Sequence, residues 1–257
     1  MEIKTRDGKK LNYYVHGSGQ PIVFLHGFGG YQQIWTDQID FFVEKGYQVI
    51  TYDQRNHGAS SRESSLDDFS VLIDDLKDFL SGLKLDNPIL VGHSMGASVI
   101  YGFISKYPDY PVKKLVTVDQ SPKMLNTPTW KYGYMEITRA NYKMRLKMHN
   151  KETLNGIDDN VFWKLNVAKE QFPFVKDDNL ELLYDHARKD WRDAVINCQV
   201  PMLLVTANQS PYFDGSFADL LMKKNSKLSR VAIDQSGHVI MAEQPDKFNQ
   251  ALLDYIE

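Results

Sequence analysis

Pro88-Ile89-Leu90-Val91-Gly92-His93-Ser94-Met95-Gly96-Ala97-Ser98 is the stretch that decides the fold of this chain. Ile89 to Val91 is a short apolar run with β-branched residues, the pattern of a buried strand. Ala97 opens a helical pattern that continues to about Lys106. Between them stands Gly-x-Ser-x-Gly. A strand that turns directly into a helix forces its middle residue into a strained backbone region, where side chains two positions to either side would collide. Gly92 and Gly96 leave that space empty. The turn lifts the Ser94 hydroxyl clear of the sheet and aims the first amides of the following helix at the space above it. The same pattern can be a tight turn with an incidental serine, so the rest of the chain must supply the serine's partners.

Upstream, residues 2–6 and 11–16 read as two strands joined at Asp7-Gly8. Ile22 to Leu25 is an apolar strand ending in His26-Gly27-Phe28-Gly29-Gly30. Gln33 to Lys45 reads as a helix stopped by Gly46. Gln48 to Tyr52 is a strand ending at Asp53, followed by the polar loop Gln54 to Ser60. Ser65, with Asp68 three residues on, has the look of an N-cap for the apolar 3–4 spacing of Phe69, Leu72, Ile73, Leu76, Phe79, Leu80 and Leu83.

Downstream, Lys114 to Val118 is a strand ending at Asp119. Residues 120–197 break the alternation: they hold no convincing strand, are rich in Trp, Tyr, Phe and Met, and suggest helices near 132–149, 159–170 and 178–195. Strand Met202 to Val205, helix Ser216 to Lys224, strand Leu228 to Ile233 and a terminal helix Asp246 to Ile256 behind Pro245 then resume it. Strands alternating with helices predict an α/β fold: a mostly parallel sheet covered on both faces, with antiparallel character at one edge. The domain division is 1–119 with 198–257 as the core and 120–197 as a helical cap. Function in such sheets gathers at the carboxyl ends of the strands. The loops there carry His26, Asp53, Ser94, Asp119 and His238.

The composition of the 257 residues is that of an ordinary globular protein, 42% apolar and 25% charged. A net charge of −3 without like-charge blocks argues against nucleic acid as a partner. The charged N-terminus has no apolar signal region, no run approaches the length of a membrane span, and the single Cys198 reads as a small core residue. Together these predict a cytoplasmic protein.

A serine hydroxyl is a poor nucleophile until a base takes its proton. Of the seven histidines, His238 stands in the loop after the final strand, on the correct edge of the sheet, with Gly237 giving that loop freedom to turn. His16 lies at an early strand end. His149 and His186 fall in the helical insertion, where an exposed polar face is expected. His93 neighbours Ser94 but should point away from it, and His57 sits in a polar loop that offers no support. The base needs a carboxylate to fix its tautomer. After strand 202–205 the chain reads Ala207-Asn208-Gln209-Ser210, with serine where many relatives of such folds place an aspartate. Asp119, one strand over and about 5 Å away in sheet spacing, is the favoured acid, and Asp214 is the alternative. Asp119 could also be a turn residue before Pro122. The backbone amides of Met95 and Phe28 are the candidate oxyanion donors, and His26 reads as a brace for the second of these loops. No metal-binding pattern is present and no cofactor is expected.

Taken together, His26-Gly-Phe-Gly-Gly30, Asp53-Gln-Arg-Asn-His-Gly-Ala-Ser60, Gly92-His-Ser-Met-Gly96, Asp119-Gln-Ser-Pro122, Asn208-Gln-Ser-Pro-Tyr212 and Gly237-His238 resemble the α/β-hydrolase superfamily. The Arg-Asn-His-Gly loop and the Asp-x-Ser-Pro after the sixth strand look like the ybfF-like branch of small bacterial carboxylesterases. The resemblance implies an eight-stranded sheet with a helical cap over the site. It also implies that the residue after the sixth strand is the acid, so that serine at 210 is a shared trait. Ser94 excludes the chemistry of dehalogenases and epoxide hydrolases of this fold, which need aspartate at the elbow. The expected function is cleavage of a small-molecule carboxylic ester or thioester through an acyl-serine. The alternatives are a C–C bond hydrolase, a cofactor-free perhydrolase of the haloperoxidase type, and a receptor on a hydrolase fold. The aromatics of 120–197 either line an apolar acyl pocket or pack the insertion onto the core.

Overall fold

The computed structural model describes residues 1–148 and 150–257, so the reading of His149 as an exposed residue falls outside the described residues. Eight strands form one sheet: β1 (Glu2–Lys4), β2 (Lys10–His16), β3 (Pro21–Leu25), β4 (Gln48–Tyr52), β5 (Ile89–His93), β6 (Lys114–Val118), β7 (Met202–Ala207) and β8 (Leu228–Ile233), in the order β1-β2-β4-β3-β5-β6-β7-β8. The first two pairings, β1 with β2 and β2 with β4, are antiparallel, and the remaining five are parallel. The α/β reading and the antiparallel edge therefore hold. Gly8, at a φ of 83°, makes the β1–β2 turn.

Side-chain alternation sends β3 residues Val23 and Leu25 to one face of the sheet and Ile22 and Phe24 to the other. The first face is covered by α2 (Ser70–Gly82) and α3 (Met95–Lys106). The second is covered by α1 (Thr36–Glu44) and, at the end of the chain, α10 (Pro245–Ile256). Both faces of the central strands are fully buried, which is why those strands read as continuous apolar runs.

Between β6 and β7 the chain forms α4 (Tyr142–Lys147), α5 (Asp159–Gln171), α6 (Leu180–Arg188) and α7 (Arg192–Asn197). Two short helices, α8 (Phe217–Met222) and α9 (Ile240–Glu243), complete the set. Three expectations need correction. The helix expected from Gln33 begins as a 3-10 turn over Gln32–Trp35 before α1. Ser65 does not cap α2: the helix starts at Ser70, and Asp68 accepts the Ser70 amide at 2.8 Å. The helix expected over 132–149 is only the six residues of α4, because the chain from 123 to 137 is held in turns by cross-links such as Thr127 with Trp130 and the Asn126 amide to Ile137 O.

Candidate active site

Ser94 stands at the β5–α3 crossover with φ 53° and ψ −119°. This is the left-handed region that a non-glycine residue occupies only when its surroundings force it there. A Cβ on Gly92 would lie 2.5 Å from Gly96 O, and one on Gly96 would lie 2.5 Å from Leu25 O. The two glycines thus allow the helix to pack directly on the strand ends. The Ser94 amide donates to Val118 O at 3.0 Å, extending the β5–β6 register one residue past the strand.

That register places Asp119 beside the crossover. Asp119 is fully buried, also at positive φ (46°), and its amide donates to Val205 O of β7. His238 Nδ1 donates to Asp119 Oδ2 at 2.7 Å. Ser210 Oγ donates to the same oxygen at 2.6 Å and in turn accepts the Tyr212 and Phe213 amides. The Ala207 amide reaches Oδ1 at 3.3 Å. Asp214 is exposed and accepts the Ser216 amide instead. Of the two candidate acids, the structure brings only Asp119 to the histidine.

The His238 ring is held from several sides. Its own amide donates to Glu152 O at 2.7 Å, and the Gly237 amide donates to Glu243 Oε1 at 3.0 Å. Tyr212 packs edge-on against it at 4.7 Å. With Nδ1 committed to Asp119, Nε2 is the nitrogen left to act. Ser94 and His238 line one cavity of about 360 Å³. Among the described residues no hydrogen bond joins the Ser94 hydroxyl to the ring, a looseness common before substrate binds.

The loop after β3 crosses the other side of the serine. A Cβ on Gly27 would lie 3.0 Å from Ser94 Cβ and 3.1 Å from His93 Nδ1, a crowding that glycine avoids as this backbone passes the serine. Phe28 lines the cavity. Among the described residues neither the Phe28 amide nor the Met95 amide has a hydrogen-bond acceptor, which leaves both free for a ligand oxygen. Two buried histidines hold the loop. His26 Nδ1 donates to Gly27 O at 2.8 Å while its Nε2 accepts the Gln54 amide at 3.0 Å. His57 Nε2 accepts the Gly29 amide at 3.0 Å while its Nδ1 donates to Arg55 O. Burial lowers the pKa of His26 and pushes that of His57 well below the usual imidazole range, which favours the neutral rings that can both accept and donate as described.

Two sequence readings are overturned. His93 does not point away from the site: it lines the cavity, its ring lies 4.5 Å from that of His238, and its Nε2 donates to His238 O at 3.0 Å. The loop that carries His238 returns over the end of β5, so the His93 ring meets its backbone. His186 is not exposed either. It is 3% exposed, stacked on Phe69 at 4.9 Å, because Asp185 accepts the Phe69 amide and clamps α6 onto the start of α2. The insertion's aromatics divide: Tyr134 and Phe174 line the cavity, Trp130 and Tyr142 are buried, and Phe162 and Trp163 are exposed. The cavity wall is not purely apolar, since Gln120, Asn150, Lys176 and His186 belong to it. Glu152 and Glu243 support the site without any signal in the sequence, whereas Ser210 is marked there as the residue in the usual acid position.

Cys198 is buried, and burial raises its thiol pKa, as fits a core residue. Among the described residues no cluster of His, Cys, Asp or Glu could hold a metal ion, and no helix is long and apolar enough to cross a membrane.

Residues 20–137 match the profile of the alpha/beta hydrolase fold family. The AB hydrolase superfamily protein YisY of Bacillus subtilis is 25% identical over 264 residues, 98% of this chain and 97% of that protein. The non-heme chloroperoxidase CPO-A1 of Kitasatospora aureofaciens is 34% identical over 121 residues, which is 47% of this chain and 44% of its own length. That match spans less than half of the chloroperoxidase. An esterase from Exiguobacterium antarcticum superposes with a TM-score of 0.86 at 21% identity, over 99% of this chain and 98% of that one. With this strand order, the glycine-flanked serine between β5 and α3, and the profile match over residues 20–137, the chain has the α/β-hydrolase fold.

Proposed function

We propose that this protein is a serine hydrolase that cleaves carboxylic esters or thioesters of small to medium acyl groups. The observation that carries the proposal is the 2.7 Å Asp119–His238 hydrogen bond at the edge of a cavity that Ser94 also lines. In this reading His238 Nε2 takes the Ser94 proton as Oγ attacks the acyl carbon. The Phe28 and Met95 amides receive the oxyanion. The tetrahedral species collapses, the alcohol or thiol leaves with the proton from His238, and an acyl-serine remains. Water then repeats the attack with His238 again as base, releasing the acid and restoring the hydroxyl. Asp119 holds the imidazole tautomer and stabilises its cation. The segment 120–197 serves as a cap that shapes the acyl side of the cavity, and serine at 210 agrees with the small-carboxylesterase branch. The buried lone cysteine supports a cytoplasmic setting.

The test is direct. A fluorophosphonate should label Ser94, and p-nitrophenyl acetate or butyrate should be hydrolysed with both signals lost in Ser94→Ala. Wild-type protein that neither labels nor turns over would leave a receptor on a hydrolase fold as the better reading. A perhydrolase activity is the second reading, favoured by the similarity to the chloroperoxidase CPO-A1. It predicts peracid formation from acetate and hydrogen peroxide on the same serine.

A further inference from the structure

Ser94 and His238 come from loops far apart in the chain. Among the described residues no hydrogen bond between their side chains sets the gap that the proton must cross. His238 is instead held at three atoms. Its Nδ1 donates to Asp119, its amide donates to Glu152 O, and its carbonyl accepts from His93 Nε2 at 3.0 Å. Of these three partners only His93 belongs to the strand end that carries the nucleophile, as the residue just before Ser94. Among the described residues it is also the only donor to that buried carbonyl. A carbonyl oxygen can only accept, so the His93 ring carries its hydrogen on Nε2 and its lone pair on Nδ1. The ring is buried, and burial, assisted by the neighbouring His238, pushes its pKa well below the usual imidazole range. The neutral ring has one N–H, and it is directed at His238 O. The ring also has little room to turn. A Cβ on Gly27 would lie 3.1 Å from its Nδ1, and its centroid is 4.5 Å from that of His238. It stands as a strut between the loop after β3 and the loop after β8.

Resting on the hydrolase reading, we infer that His93 is a positioning residue for the reaction: its Nε2–H bond to the His238 carbonyl fixes how far the base stands from the serine that follows His93 in the chain. The nitrogen does this, not the bulk of the ring. Without the donor, His238 O is a buried acceptor with no partner, and its loop must shift to find one. Asp119 still orients the imidazole, but from the β6 side alone, so the ring moves relative to Ser94. A displacement of about 1 Å in a reacting group costs on the order of a hundredfold in rate. The bond joins two parts of the protein and not the substrate, so its loss acts on kcat and leaves KM nearly as it was.

The experiment measures kcat and KM for p-nitrophenyl butyrate, and the rate of Ser94 labelling by a fluorophosphonate, in wild type, His93→Phe, His93→Gln and His93→Asn. Phenylalanine keeps the ring and removes the donor. An extended glutamine puts its amide nitrogen near the place of the imidazole Nε2, whereas asparagine puts its own near that of Nδ1. The Phe and Asn variants should lose about ten- to a hundredfold in kcat, with KM within about threefold and labelling slowed in parallel. The Gln variant should recover kcat to within about threefold of wild type. Circular dichroism checks the fold of each, and if the Phe variant does not fold, the Gln and Asn pair decides. A Phe variant as active as wild type, a Gln variant as impaired as Asn, or a loss confined to KM overturns the inference and leaves the hydrolase reading standing. Wild-type protein that neither labels nor turns over overturns both.

Discussion

The loops at the carboxyl ends of the strands and the helical segment between β6 and β7 enclose the same cavity by different means. In the first region the buried carboxylates are each held by several donors, although Gln33 Oε1 and Gln54 Oε1 have no partner among the described residues. Asp53 accepts the Gln32 amide, the Gln32 side chain and the Ala59 amide, and Asp119 accepts from His238, Ser210 and Ala207. In the second, α5 buries only Val161, Leu165 and Ala168 and leaves Phe162, Trp163 and Val167 exposed, and among the described residues neither ring nitrogen of His186 on α6 has a hydrogen-bond partner. The difference teaches where rigidity and adaptability reside. Groups that must meet a reacting atom are over-determined by register and hydrogen bonds, while the surface that meets the variable part of a ligand is held by apolar contact and a few clamps.

The comparison is broken most sharply at Asp119. Asp119→Asn should lower kcat by on the order of 10⁴, measured on p-nitrophenyl butyrate with folding checked by circular dichroism, while Asp214→Asn stays within about twofold because its carboxylate only holds a turn. Next comes the polar loop after β4. The Arg55 guanidinium is 2% exposed and pairs with Asp75 at 2.7 Å, itself 4% exposed, and with Asp7 and Glu63. Arg55→Met strands a buried carboxylate and should cost about 3–5 kcal/mol in urea unfolding. Ser210→Ala removes one donor to Asp119 and should lower kcat about tenfold without changing KM.

Acid stability tests the other region. His186 is neutral in the folded chain with its pKa near 3 and returns to 6.5 on unfolding. The unfolded state therefore binds more protons below pH 6.5, and stability present above that pH is lost as the pH falls toward 3. His57 and His93 are depressed in the same direction by burial and should keep part of this slope. His186→Phe should thus shrink the fall in Tm between pH 7 and pH 4 by about 2–4 °C. Smallest of all, Trp163→Ser on the outer face of α5 should change stability by no more than about 0.5 kcal/mol. A larger loss would mean that this face is covered in solution.

The sequence made the first region legible and the second only partly so, for physical reasons. Strand ends are fixed by apolar runs and by glycines whose Cβ atoms would clash, so Ser94, Asp119 and His238 could be assigned to one edge from period and position. What period cannot give is the direction of side chains in loops. His93 was misplaced because nothing local says that the His238 loop returns over it. In 120–197 the helices are short and packed by aromatics from other elements. Their burial depends on contacts such as Phe69 with His186, 117 residues apart in the chain (186 minus 69), and local pattern carries no trace of these.

Ser210 and Asp119 touch through one hydrogen bond across adjacent strands. The sheet thus offers two seats for a single negative charge, and the seats are too near for both to be filled by carboxylates without their sharing a proton. A lineage could move the acid from one strand to its neighbour only by exchanging the two residues together. Asp119→Ser alone and Ser210→Asp alone would each be impaired, whereas the reciprocal exchange would keep the charge within reach of the same imidazole.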